Sequence, residues 1–197
     1  MIFLAIIGLA TFVLLSFYGI FEHRYSTKEV IENYNTRKDA ITELTTYFNT
    51  IRPLNNRIKI EFQGKRHISK FDIRIQGTFK MYSNIEVDSP IMDTLLQVAG
   101  WNTTNLSDLY QKLKKANCIS IQSNYYMPGE NSCEVGFQKS SMGIFYYLLF
   151  EPPLEDSLKA RFNDGCKQLL INNSAAISWY GGTIGPECLD GKERIRE

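Results

Sequence analysis

Residues 57–75 read RIKIEFQGKRHISKFDIRI, and the period of this stretch decides the fold class. From Arg57 to Phe62 polar and apolar residues alternate, which sends Ile58, Ile60 and Phe62 to one side of an extended chain. Gly64 to His67 supplies a turn, and Phe71, Ile73 and Ile75 then repeat the alternation. A period of two on both sides of a turn predicts an antiparallel hairpin with one wet face. Phe79 and Met81, past Gly77, read as an extension of the second strand.

On the amino-terminal side of this hairpin the period changes. Ser26-Thr27-Lys28-Glu29 has the form of a capping box, in which the Ser26 hydroxyl and the Glu29 carboxylate satisfy free backbone donors at a helix start. Val30, Tyr34, Ile41, Leu44, Phe48 and Ile51 follow at helical spacing, interrupted at Arg37, and Pro53 closes the run. A long amphipathic helix over 27–51 is expected, with its stripe laid on the sheet. The near-heptad spacing also allows a short coiled coil that would dimerise the chain through the 27–51 helix.

On the carboxyl-terminal side, Ser89-Pro90 starts a helix that Gly100 stops, because proline at the first helical position sacrifices only an unpaired N–H. A further helix is read from Asn105, with Asp108 in its first turn and Lys112, Lys114 and Lys115 in its last. Short strands are expected at 118–121 and 133–137, separated by a loop containing Pro128-Gly129. The continuous apolar run from Ile144 to Phe150 reads as a central strand covered on both faces. Leu154 to Phe162 reads as a short helix. A last hairpin turns at Asn172-Asn173, since Asn tolerates the positive φ of tight turns. The sum is one α+β domain over 22–197 with a mainly antiparallel sheet, the long helix and two or three shorter ones.

Met1–Phe21 contains no Asp, Glu, Lys, Arg or His. At ~1.5 Å per residue this run is long enough for a hydrocarbon core of ~30 Å. A cleaved signal peptide, which would make the chain a secreted protein, wants basic residues before the apolar run and small residues at its end. Here no Lys or Arg precedes it and Phe-Glu-His-Arg-Tyr follows. Residues 1–21 are therefore read as an uncleaved single-pass anchor through which the chain meets a membrane. Arg24, Lys28, Arg37 and Lys38 after the span favour a cytoplasmic body, whereas the cysteines favour export. Long domains translocate largely regardless of so modest a charge, so the body is placed outside the cytoplasm.

The four cysteines are Cys118, Cys133, Cys166 and Cys188. An even count behind an apolar leader points to disulfides in an oxidising compartment. Of the three connectivities, 118–133 and 166–188 are preferred, the first because its strands are expected to pair. No Cys-x-x-Cys is present, and His23 and His67 lack zinc spacing, so neither a metal nor another cofactor is expected.

Lys+Arg 22 against Asp+Glu 21 leaves a net charge of +1, with no global field to hold a nucleic acid. No nucleophile elbow, phosphate loop, dinucleotide fingerprint or His-Glu-x-x-His occurs, and the chain is read as non-enzymatic. Glu155-Asp156 sits where acids complement a helix start. Two stretches stand out as a binding surface. Lys65, Arg66 and His67, with Lys70 nearby, form a basic patch suited to anionic lipid or an acidic partner. Gly181, Gly182 and Gly185, in the run Gly181-Gly182-Thr183-Ile184-Gly185-Pro186, could present backbone N–H groups to an anion or simply turn the chain.

The function these observations favour is a membrane-anchored, extracytoplasmic binding domain whose ligand is an unidentified protein or small molecule. In plan alone, an apolar amino terminus, a long amphipathic helix and a disulfide-stapled sheet resemble type IV pilin-like subunits, which implies a structural filament role as the alternative. The chain departs from that pattern in having no acidic residue within 1–21 and in restarting its helix at Ser26.

Overall fold

The computed structural model describes residues 25–53, 57–75, 77–123, 129, 131–140, 143–181 and 188–189. The apolar segment 1–21, Gly182 and Gly185 lie outside the described residues.

Helix α1 spans Thr27–Ile51 and begins at the expected capping box, with the Ser26 side chain accepting from the Glu29 N–H and the Glu29 carboxylate accepting from the Ser26 N–H. Three antiparallel strands follow: β1 (Arg57–Gly64), β2 (His67–Ile75) and β3 (Thr78–Glu86). Helices α2 (Pro90–Ala99) and α3 (Thr103–Lys115) connect them to β4 (Ser120–Ser123), β5 (Cys133–Ser140) and β6 (Gly143–Leu149). A short helix α4 (Asp156–Lys159), continued by a 3₁₀ turn over Ala160–Phe162, leads into the hairpin β7 (Gln168–Asn172) and β8 (Ala175–Gly181). All eight strands belong to one sheet in the order β3-β2-β1-β4-β5-β6-β8-β7, and every neighbouring pair is antiparallel.

One face of the sheet carries the main core. Ile58, Ile60 and Phe62 of β1 point into it with Phe71 and Ile73 of β2, Ile121 of β4, Val135 of β5 and Tyr147 of β6. Helix α1 closes this core with Val30, Tyr34, Ile41, Leu44 and Phe48, all nearly inaccessible. The stripe whose near-heptad spacing also fits a coiled coil is packed against the sheet within one chain. Helix α3 packs beside α1, where Lys112 and Lys115 place their ammonium groups 2.7 and 2.6 Å from the Glu43 carboxylate and hold its pKa down to about 2.

Three expectations need correction. Residues 78–86 are a separate strand and not an extension of β2. The chain reverses here, with Gly77 at φ 85 and Ile75 opposite Thr78. Because a tight reversal preserves the alternation, the two strands read as one; the pairing sets Phe79 opposite Arg74 and puts Phe79 on the wet face. Helix α3 starts at Thr103, two residues earlier than read, because Asn102 and Asn105 exchange side chain to backbone hydrogen bonds as a reciprocal cap. Cys166 and Cys188 form a disulfide, but Cys118 and Cys133 are free and buried. Strands β4 and β5 do pair, yet in a register with Ser120 opposite Gly136 and Ser123 opposite Cys133. Continuing that register sets Cys118 about five residues along β5 from Cys133, roughly 16 Å, where a disulfide needs Cα atoms within about 7 Å.

Candidate functional site

The second face of the sheet is covered at one end only. Tyr146 and Leu148 of β6 and Ala176 of β8 form a small second core with Phe150, Leu154 and Phe162 from the segment around α4. Phe150 and Phe162 meet edge to face at 4.7 Å between ring centres. Toward β3 this cover ends and the face is polar. One register row crosses all eight strands as Met81, Asp72, Lys59, Gln122, Glu134, Leu148, Ala176 and Leu170. Its centre is charged or amide and its two ends are apolar.

The sheet coils around that polar centre. Phe79 on β3 and Tyr180 on β8 line the same cleft although five strands lie between them. In a flat sheet six steps of about 4.8 Å would hold these strands roughly 29 Å apart, so the strand twist makes this face concave. The cleft has a volume of about 410 Å³ and a floor of Lys59, Asp72, Gln122 and Glu134. Phe79, 56% exposed, and Tyr180, 45% exposed, stand at its rim. Tyr180 packs edge to face on Tyr146 at 5.5 Å.

The polar groups of the floor are largely tied to one another. Lys59 donates from Nζ to Tyr146 Oη at 3.0 Å, which spans from β1 to β6. The Gln122 amide donates to a Glu134 carboxylate oxygen. Beside the cleft Glu61 accepts from Ser69 at 2.8 Å and pairs with Lys139 at 3.2 Å. Asp72 is the exception. Its Oδ2 lies 3.5 Å from Lys70 Nζ, but Oδ1 has no hydrogen-bond partner among the described residues, in a side chain only 7% of whose residue surface is exposed. Burial pushes the Asp72 carboxyl above the usual carboxylate range, opposed by the positive charges of Lys70 and Lys59. Burial likewise raises the Tyr146 and Tyr180 hydroxyls, so both are neutral donors at ordinary pH.

Of the residues singled out in the sequence, Lys70 meets Asp72 of the cleft floor and the others that are described lie elsewhere. Lys65 and Arg66 form the exposed turn between β1 and β2; Arg66 pairs with Asp88 at 3.3 Å, and His67 opens β2 opposite Glu86. Gly181 ends β8 opposite Gly143, at φ 113. The basic turn and Gly181 lie toward the same pole of the sheet, on strands that are not neighbours. Glu155 and Asp156 start α4 as expected, with Asp156 paired to Lys159 at 2.6 Å. Among the described residues, neither of two larger hollows is lined by a buried side-chain oxygen without a partner. The one around Tyr25 and Asn117 is lined by the amides of Asn117 and Gln138, which bond to each other while Asn117 also donates to Asn33. Among the described residues no three His, Cys, Asp or Glu side chains converge as metal ligands, and no helix is long and apolar enough to cross a membrane.

Compared with known proteins, the chain matches no family model, no curated protein and no solved structure.

Proposed function

We propose that the chain is a non-enzymatic binding domain, tethered by residues 1–21 with its body outside the cytoplasm, and that its ligand occupies the cleft on the open face of the sheet. The observation that carries the binding reading is the Asp72 carboxylate Oδ1, buried at the cleft floor without a donor among the described residues. A buried acceptor left unpaired costs stability, and native proteins hold few of them. A donor arriving from outside completes it. The uncharged run Met1–Phe21 and the Cys166–Cys188 disulfide support the tether and the compartment.

Replacing the acid tests the binding reading. Asp72→Asn removes a desolvated charge, so thermal unfolding at neutral pH is expected to shift upward relative to the parent. The sign follows from the raised folded pKa: the native state favours the proton, so the destabilisation builds as pH rises from the unfolded acid's pKa to the folded one and is fully present above it. The gain from Asp72→Asn should therefore vanish as the pH falls below the usual carboxylate range. A variant that melts earlier at neutral pH would make Asp72 a structural partner and withdraw the cleft as a site. The tether has its own test. After alkaline carbonate extraction the full chain is expected to remain in the membrane fraction, and its release would remove the anchor.

A further inference from the structure

We propose that the cleft takes a neutral oligosaccharide, an inference that rests on the binding reading above. The charged residues that line it are Arg57, Lys59, Asp72 and Glu134, two of each sign. A polyanion would set its charges against both carboxylates, and a polycation would set its own against Arg57 and Lys59. A ligand without net charge meets neither repulsion.

The spacing of donors and acceptors narrows the class further. Asp72 offers an empty acceptor, while Lys59, Gln122 and the tyrosine hydroxyls can donate. Sugar hydroxyls both donate and accept, so one ring can answer each of these groups in turn. The rim supplies the complementary apolar element. Phe79 and Tyr180 present exposed rings to a cleft whose floor is polar, and the CH faces of pyranose rings stack on such rings. An extended peptide is served less well. Its backbone seeks unpaired N–H and C=O groups, but the floor strands are hydrogen-bonded on both sides within the sheet and show this face only their side chains.

The test is calorimetric titration of the full chain in a polyoxyethylene detergent, which carries no sugar headgroup. The probes are N-acetylchitotetraose and maltotetraose as neutral oligomers, the deacetylated chitosan tetramer as a cationic one, tetragalacturonate as an anionic one, and a capped Thr-Val hexapeptide. Binding of a neutral tetramer is expected, weakened about tenfold by Asp72→Ala and about tenfold by Phe79→Ala. Phe79 is an exposed edge residue, so its loss does not threaten the fold. Ile91→Ala, on the exposed side of α2, should leave the affinity unchanged. Preference for a charged tetramer or the peptide would overturn the ligand class while leaving a binding cleft in place. Failure of both neutral tetramers, or equal affinity in the Asp72 and Phe79 variants, overturns the proposal outright; the separate melting test of Asp72→Asn then decides whether the cleft is a site at all.

Discussion

Phe48→Ala is expected to lower the unfolding free energy by ~3–5 kcal/mol, a large part of the 5–15 kcal/mol that holds a typical domain together. Phe48 lies on α1 with no accessible surface. Its ring meets Trp101 edge to face at 6.4 Å, and Trp101 in turn meets Phe71 of β2 at 6.1 Å. The three rings form a column that joins the long helix to the sheet. Trp101 cannot drop into the space that Phe48 leaves, because its indole N–H donates to the Ile51 carbonyl at the end of α1, 2.8 Å away. A site that cannot collapse keeps its cavity, which places the cost toward the upper end of the range. Phe48→Leu should recover most of the loss by filling much of that volume. Urea unfolding with an unchanged m-value would read both effects. A loss below about 1 kcal/mol for Phe48→Ala would mean that α1 does not rest on the sheet in this way. The cleft lies on the opposite face, so oligosaccharide affinity should be the same in the folded fraction of either variant.

The elements were legible where a period ran long enough to declare itself. Val30, Tyr34, Ile41, Leu44 and Phe48 announced α1, and Ile58, Ile60 and Phe62 announced β1, because each series records which residues lose water. Gly100, at φ 68 after α2, marked a helix end for the same local reason. The cleft was not legible. Lys59 and Asp72 read as solvated positions on a wet face, since polarity at alternate positions carries no hint that the face is concave. That concavity arises from the pairing of β1 with β4, which joins Glu61 to Ser120 across a long stretch of chain, and from the twist of all eight strands. Register was equally hidden. Strands β4 and β5 do lie side by side, yet the offset that carries Cys118 away from Cys133 depends on where β4 meets β1 and β5 meets β6. The cross-strand rows contain the signal, but only once the strand order is known.

Opening the Cys166–Cys188 bridge should destabilise the domain by about 3 kcal/mol, the chain-entropy value for a closed loop of this size. The two residues are 22 apart in sequence, and Cys188 is followed by Leu189, whose N–H donates to the Cys166 carbonyl and whose own carbonyl accepts from Thr27 on α1. The bridge thus ties Cys188 and Leu189 both to the entry of β7 and to the start of the long helix. For a domain of this length about 3 kcal/mol corresponds to roughly 6–12 °C in Tm. Dithiothreitol should lower the Tm of the parent by that amount. The double variant Cys166→Ser, Cys188→Ser should begin at the lower value and ignore the reductant. The remaining thiols provide the control on compartment. Burial pushes Cys133 up to about 12 and Cys118 higher still, so neither presents thiolate to a reagent while the domain is folded. Alkylation without reductant must therefore be carried out in denaturant, where the protein isolated from its host should gain two labels. Four labels would mean that the pair is reduced in the cell, and the oxidising compartment, together with the export of the body, would have to be given up. Two labels combined with a Tm indifferent to dithiothreitol would mean instead that the bridge exists but closes a loop already held by Leu189 and Thr27.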